Sequence, residues 1–435
     1  MKKIIIGILI LLSNNIYSQE VKSLSLEECI KIGLENSKSL KISDSKVKSV
    51  EAKYKETEVA EYPTLKFTAG YTRLSDVGAP NFGPAASSIA KAFSPILDNY
   101  STKITLNQPI FTGFRLSSAT EIAEYNKNAS ILEFKKDEKE LILNIRTAYW
   151  NYYRALKLKE NIQQNITMVE AHLNDVENFY KNGLATDNDV MKVKVQLSNT
   201  KLLMIDAENG IQTALLFLNS LIGLPLNTKI TLKDKPEFLE KHTSKLDDGI
   251  SNALMNREEL LSTEMRIKAA NSAITLSKAG WYPQIFFFAD FIYSNPNQRY
   301  IPQKKEFKSS WDLGITLSFD LWNWMLPKYQ TEQAEFQLEQ IKQSYEILKD
   351  QINLEVTQNY LNLEKMFEKI NISSETLEQA ELNYKITKEK YKNGLVNNSE
   401  LIDAETTVLQ ANINYTLSIV DYEIAKAKYL KSISK

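Results

Sequence analysis

The sequence predicts a mainly α-helical protein with a transmembrane β-barrel portion, written as two copies of one unit. Three observations predict it. The pentapeptide YKNGL occurs at residues 180–184 and again at 391–395. Residues 115–181 and 328–393 contain neither proline nor glycine. Three short stretches alternate apolar and polar residues strictly enough to be strands with one dry and one wet face, and a fourth does so less regularly.

The repeat comes first, because self-similarity governs every local reading. LEECIKIGLENSKSL (26–40) resembles LDDGISNALMNREEL (246–260) at an offset of 220, which also places Pro63 of AEYPTL over Pro283 of AGWYPQI. The offset then falls to 211, laying KITLNQPIF (103–111) over GITLSFDLW (314–322) and YKNGL over YKNGL. The difference belongs to the connection between Pro63 and Lys103, where insertions are tolerated. The expected organisation is a leader at 1–18, a first repeat at 19–222, a linker or equatorial region at 223–245 and a second repeat at 246–435. Each repeat opens with a helix. The first continues with strands near 64–75 and 101–111, a long helix near 115–181 and a second near 187–222. The other continues with strands near 284–294 and 309–322 and helices near 328–392 and 398–433.

The long helices would each run ~65 residues, roughly 100 Å if continuous. Globular helices average about 11 residues, so these must lie against other long helices in a coiled-coil-like array. Apolar residues recur at helical spacing, Leu141, Ile145, Ala148 and Tyr152 in one and Leu354, Val356, Tyr360 and Leu363 in the other. Both segments are too polar to sit in lipid.

In the strands, Leu65, Phe67, Ala69 and Tyr71 alternate with Lys66, Thr68, Gly70 and Thr72. Ile104 and Leu106 alternate with Lys103, Thr105 and Asn107, and Trp311 to Leu321 alternates with Asp312 to Asp320. QIFFFADFIY is less regular, because Phe286 and Phe288 interrupt its polar parity. Such strands fit a membrane barrel, apolar outward and wet inside. Trp281, Tyr282, Trp322 and Trp324 fall at strand ends, where interfacial aromatics sit. A soluble sheet packed on a core would alternate in the same way, but nothing in the chain is available to cover this face. Single-chain outer-membrane barrels need about eight strands or more. Several chains must therefore share one barrel, with membrane lipid around it.

The N-terminus carries Lys2 and Lys3, an apolar run at 4–12 and the polar stretch SNNIYSQE, the order of a secretory leader cleaved after Ser18. Without it the chain has 51 Lys+Arg against 54 Asp+Glu, a net of −3 with no basic excess for nucleic acid. The single cysteine, Cys29, allows no internal disulfide and is expected to pack. The two histidines, His172 and His242, lie in separate regions, so no metal site or cofactor is expected. No phosphate-binding loop and no nucleophile–base set suggests an enzyme.

Both YKNGL copies read as turns between helices. Gly183 and Gly394 stop a helix in the left-handed conformation, and TDND (186–189) and NNSE (397–400) restart one with a capping box. Turn chemistry explains every residue type except tyrosine and leucine, which makes Leu184 and Leu395 candidates for exposed contacts. Glu400 and Asp403, three apart, place two carboxylates on one helix face. Favourable placement against the helix dipole is the plainer account of that pair.

The leader, the duplicated L-xxx-I opening, the Y-P before a strand, the QPIFTGF strand exit and the twice-written Y-x-x-G-L turn together resemble the TolC family of outer-membrane efflux ducts. The resemblance covers nearly all of the mature chain, in order and in both halves. It implies a homotrimer whose subunits each give four strands to a twelve-stranded barrel and whose helices form a tunnel, an α-barrel, in the periplasm. It also implies that the helical turns dock a periplasmic adaptor and, through it, an inner-membrane pump. Carried over, Tyr180, Gly183, Leu184, Gly394 and Leu395 form the docking tip. Glu400 and Asp403 form acidic rings at the tunnel constriction, and Asp189 is a gate residue held by a hydrogen bond from Tyr391. The arginine that some members carry after the second turn is Val396 here, so a charged lock is not expected. The competing reading is a coiled-coil structural or surface protein without a pore.

Overall fold

The computed structural model describes residues 21–78, 96–236 and 245–435. The expected leader, His242 and residues 79–95 between the first two strands lie outside them. In chain order the elements are β1 (Lys22–Leu24), α1 (Leu26–Asn36), α2 (Lys38–Val59), β2 (Thr64–Arg73), β3 (Asp98–Phe111), α3 (Arg115–Lys181), α4 (Asp187–Ile222) and β4 (Ile230–Leu232). Then follow α5 (Leu246–Asn256), α6 (Glu258–Ser277), a 3-10 turn (Lys278–Trp281), β5 (Gln284–Asn295), β6 (Lys308–Ser318), α7 (Leu326–Lys392) and α8 (Asn398–Ser432).

The duplication is visible in the bounds. α3 and α7 are each 67 residues long, and both of their ends are related by the offset of 211. The opening helix of each repeat, expected as one piece, is two. A single extended residue breaks it, Ser37 in the first copy and Arg257 in the second, again 220 apart. The Ser37 hydroxyl accepts from the Leu40 amide and so starts α2. Buried Arg257 instead sends its guanidinium to Glu355 at 2.8 Å.

The chain divides into two compact units. The first comprises Met1–Ser43, Lys135–Arg257 and Asp350–Lys435. Within it β1 pairs in parallel with β4, a strand pair that the linker gave no sign of. Linker residue Asp234 accepts from the Leu26 amide at 2.6 Å, so it caps α1 across 208 positions of sequence. Tyr149 donates toward Asp234 from α3, and Tyr152 donates to the Ile230 carbonyl at 2.9 Å. Leu141, Ile145, Ala148 and Tyr152 are all buried, as their spacing predicts. In α7 the seam differs by one position. Val356 and Leu363 are buried with Ile352, whereas Leu354 faces solvent. Apolar i, i+4, i+11 residues share a stripe, and Leu354 lies off it.

The second unit, Asp44–Phe134 and Glu258–Lys349, carries the four-stranded antiparallel sheet in the order β2-β3-β5-β6. Its register makes whole rows. Phe67, Ile104, Phe291 and Trp311 lie side by side on one face, followed by Leu65, Leu106, Ala289 and Leu313. Lys66, Thr105, Asp290 and Asp312 form a row on the other face. Phe288, out of place in the alternation, pairs directly with Gly314, and any Cβ there would meet its ring at 2.9 Å. The glycine makes room for the aromatic on the polar face. β6 ends at Ser318, short of the expected 322, because the chain turns there toward α7. That turn is a left-handed pair, Trp324 and Met325, in the place of Gly113 and Phe114 of the first repeat. The apolar face is bare: Leu65, Phe67, Trp311, Leu313, Ile315 and Leu317 are all exposed. No described helix is long and apolar enough to cross a membrane.

Ile145 is fully buried and touches the space that Gly33 leaves open. Ile145→Ala should therefore lower stability by about 2–5 kcal/mol. Urea unfolding followed by helical circular dichroism would register this; a cost below about 1 kcal/mol would show that the site is not packed as described.

Candidate functional site at the helical turns

The two YKNGL turns have the same backbone. Gly183 and Gly394 adopt φ of 73° and 72°, a conformation that glycine takes without steric cost. The Leu184 amide donates to the Phe179 carbonyl at 2.8 Å and the Leu395 amide to the Lys390 carbonyl at 2.9 Å. This is the six-to-one bond of a Schellman stop. Asn182 and Asn393 each return a side-chain hydrogen bond to the carbonyl four residues back, at 2.8 and 2.7 Å. Both capping boxes form. The Thr186 hydroxyl accepts from the Asp189 amide and Asp189 accepts from the Thr186 amide, while Asn397 and Glu400 do the same.

The environments of the two copies differ. Leu184 is 76% exposed and Leu395 73%, and neither is needed by the turn. Tyr180 is 49% exposed, but Tyr391 is only 7% exposed. The Tyr391 ring meets His172 edge-on at 5.2 Å and Phe179 at 5.6 Å. Burial pushes its phenol up to about 12, and the carboxylates of Asp189, Asp175 and Glu405 add to the rise. A cavity of about 500 Å³ opens between the turns, lined by Phe179, Leu184, Asp189, Tyr391, Val396 and Asn398 among others.

The expected hydrogen bond between Asp189 and Tyr391 is absent. The Asp189 carboxylate accepts from the Thr186 hydroxyl at 2.7 Å and the Thr186 amide at 3.0 Å. Those bonds, led by the hydroxyl, hold its acid below the usual carboxylate range. A carboxylate already engaged in its own capping box has little reason to turn toward a phenol, and Asp189 acts on Tyr391 only through space, by its charge. The hairpins join instead through Asn398, whose side-chain amide donates to the Asp189 backbone carbonyl at 3.1 Å, and through Lys192 and Ser399 at 3.2 Å. Glu400 is exposed and serves its capping box. Asp403 is exposed one turn further on, beside a second hollow lined by Met191, Lys192, Val195 and Ile402.

Sequence reasoning missed the pair beneath the turn. His172 Nδ1 lies 3.1 Å from Glu405 Oε2, and both side chains are almost wholly buried. His172 Nε2 and Glu405 Oε1 have no partner. The pair joins α3 to α8, and Asn165 donates to the Glu405 backbone beside it. A valine cluster, Val169, Val176, Val190 and Val193, closes the α3–α4 hairpin next to it. The available signal was weak: a lone histidine three residues after Val169 and an acid one turn past the second capping box, in different repeats.

At the sheet, Trp281 and Tyr282 sit in the turn that enters β5, whereas Trp322 and Trp324 lie beyond the end of β6. Trp322 and Trp324 pack edge-on at 5.6 Å, and Phe111, Phe114 and Tyr282 form an edge-on trio at the exit of β3. The opposite end carries a second aromatic row that the sequence did not single out. Tyr71 meets Tyr100 at 4.9 Å, Tyr100 meets Phe307 at 6.0 Å, and Phe307 stacks on Tyr293 at 5.2 Å. From Ile285 to Tyr293 is ~26 Å along the strand, which matches an apolar band of about 25 Å.

A sheet dry on one face and wet on the other, on a chain of paired helices with duplicated turns, defines an outer-membrane channel subunit. The profile described as "Outer membrane efflux protein" matches residues 30–224 and 249–428, and the chain belongs to that family. Among relatives, it is 21% identical over 271 residues to the multidrug resistance outer membrane protein MdtQ of Escherichia coli O157:H7, covering 61% of this chain and 55% of that protein. It is 21% identical over 348 residues to the outer membrane protein TolC of E. coli strain K12, covering 76% and 66%. The chain thus matches only a little over half the length of MdtQ. Its fold is that of VceC from Vibrio cholerae, with a TM-score of 0.78 at 17% identity over 94% of this chain and 95% of that one. The Campylobacter jejuni CmeC outer membrane channel gives 0.80 at 12% identity, over 94% and 85%.

Removing one member of the buried pair should be costly. His172→Ala leaves Glu405 without its partner in a dry site, a loss of about 3–5 kcal/mol, whereas replacing both residues by leucine should cost far less. Chemical denaturation of the two variants decides this, and equal losses would show that packing alone matters there.

Proposed function

We propose that this chain is the subunit of a passive exit duct in the outer membrane. Three copies each give four strands to one twelve-stranded barrel, and their long helices form the periplasmic tunnel. The single observation that carries the reading is the sheet: two open edges and a bare apolar face on the same chain as two 67-residue helices. Open edges and apolar faces are stable only when paired and covered, and closure among copies within lipid does both. Trp281, Tyr282, Trp322 and Trp324 then sit at the membrane interface nearer the helices. A coiled-coil protein without a pore would have no use for such a sheet. Nothing in the duct requires a reaction or a cofactor, so the chain acts as a conduit and not as an enzyme.

The turns form the tip. Tyr180, Gly183, Leu184, Gly394 and Leu395 would present the surface that docks a periplasmic adaptor, with the exposed leucines as its apolar contacts. The adaptor connects the duct to an inner-membrane pump, which supplies the energy and selects the cargo. Asp189, Tyr391, Glu400 and Asp403 lie around the same end of the molecule and would surround the gate. Glu400 and Asp403 from three subunits make acidic rings that favour cations.

The test is cation selectivity of the purified trimer in planar bilayers. Glu400→Gln retains the capping box, since glutamine serves there as well as glutamate, and Asp403→Asn removes only a charge. The double variant should lose cation preference. Unchanged selectivity would sink the ring assignment, and a trimer that conducts nothing would sink the duct.

A further inference from the structure

The loop between β5 and β6 bends back onto the polar face of the sheet. The Asn297 side chain is buried and donates to the Lys308 carbonyl and to the Ser310 hydroxyl, each at 3.1 Å. Two residues on, the Arg299 guanidinium donates to the Trp311 carbonyl at 2.7 Å and to the Asp312 carboxylate. Ser310 and Asp312 both belong to the polar parity of β6. The loop's side chains therefore meet that face in step with the strand, and the Arg299 guanidinium reaches Asp312, ~13 Å along β6 from Lys308.

The charges beneath explain why it is held. Asp312 sits directly across from Asp290 of β5, and like charges placed so repel. Each is matched by one cation: Lys103 reaches Asp290 at 2.7 Å and Arg299 reaches Asp312. The Asp290 side chain is 9% exposed, and Oδ1 of both aspartates is buried without a partner. Withdrawing Arg299 would leave two facing carboxylates with a single cation between them. The loop is thus tied inward by the repulsion it relieves.

We propose that this loop is a second constriction of the duct, at its outer mouth, tied into the lumen by Arg299 and lined by the paired charges of Arg299, Asp312, Asp290 and Lys103. On the duct reading given above, three such loops converge on the axis and limit the girth of solutes at the end opposite the helical tip. Because its charges are paired, it sorts by size more than by sign.

Thiol accessibility on intact cells tests this without depending on the tip. Thr316 is exposed on the polar face, four residues below Asp312, and the lone native Cys29 is buried. Thr316→Cys should react from outside with a small impermeant thiol reagent and only slowly with a bulky one. Adding Arg299→Gln or Asp312→Asn should raise the bulky rate about fivefold, the population shift held by a partly exposed ion pair, and leave the small rate unchanged. The exchange of Arg299→Asp with Asp312→Arg should restore slow labelling. Equal bulky rates in all variants, or a rise in only one of the two single variants, would overturn the constriction. Failure of the small reagent to label Thr316→Cys would overturn the lumenal placement and with it the duct reading.

Discussion

Every other feature of this chain depends on one constraint: a sheet of four strands with two free edges and one bare apolar face cannot persist alone in water. Covering the face calls for lipid, and closing the edges calls for more strands of the same kind. Once closure is shared among copies, the helices serve that shared assembly, and they are long and similar instead of forming the core of a globule. Their composition fits that role. Buried positions in the helical seams are often small or polar, such as Ala380, Ala411, Asn165, Ser373 and Ser418. Polar ties cross the seams, for instance Asn161 to Thr416 at 2.9 Å and Ser373 to Ser418 at 2.8 Å. Such seams hold position through geometry more than through a large apolar core.

Duplication supplies the second theme. Two copies of one sequence unit fold alike where backbone chemistry decides and diverge where packing decides. The Schellman stops and capping boxes are the same in both copies, because glycine, threonine or asparagine, and an acid dictate them locally. The tyrosines of the two turns part company because only Tyr391 has a histidine and a phenylalanine to lie against. The strand exits diverge too. Both copies use a left-handed pair, but Gly113 takes its half freely and only Phe114 bears the cost, whereas in the second copy Trp324 and Met325 both carry a Cβ.

How much of this was legible depended on whether the cause was local or distant. Alternation in β2 and β6, the proline-free helices and the turn residues carry their structure in adjacent positions, so fold, repeat and hairpins were readable. The pairing of β1 with β4 was not, because three-residue strands carry no period and their partners lie some 208 positions apart. Nor was the break at Arg257, which follows from a buried ion pair with Glu355 on a helix from later in the chain. The anomaly of Phe288 was visible as a broken pattern, but its cause, Gly314 opposite, needs the register. At the turns the expected bond from Tyr391 to Asp189 gave way to the nearer competitor, the carboxylate's own cap at Thr186.

The buried pair of His172 and Glu405 fastens the two repeats to each other next to the turns. It ties a helix of the first repeat to a helix of the second, and Tyr391 rests on the imidazole. Moving the second turn away from the first would withdraw Tyr391 from its cover and expose a carboxylate and an imidazole that have no other partners. Those groups would gain water as they lost each other, so the exchange is nearly balanced instead of prohibitive. A purely apolar contact in the same place would resist opening in proportion to the area exposed. A paired polar contact between the two repeats therefore combines a definite position with a modest cost of leaving it.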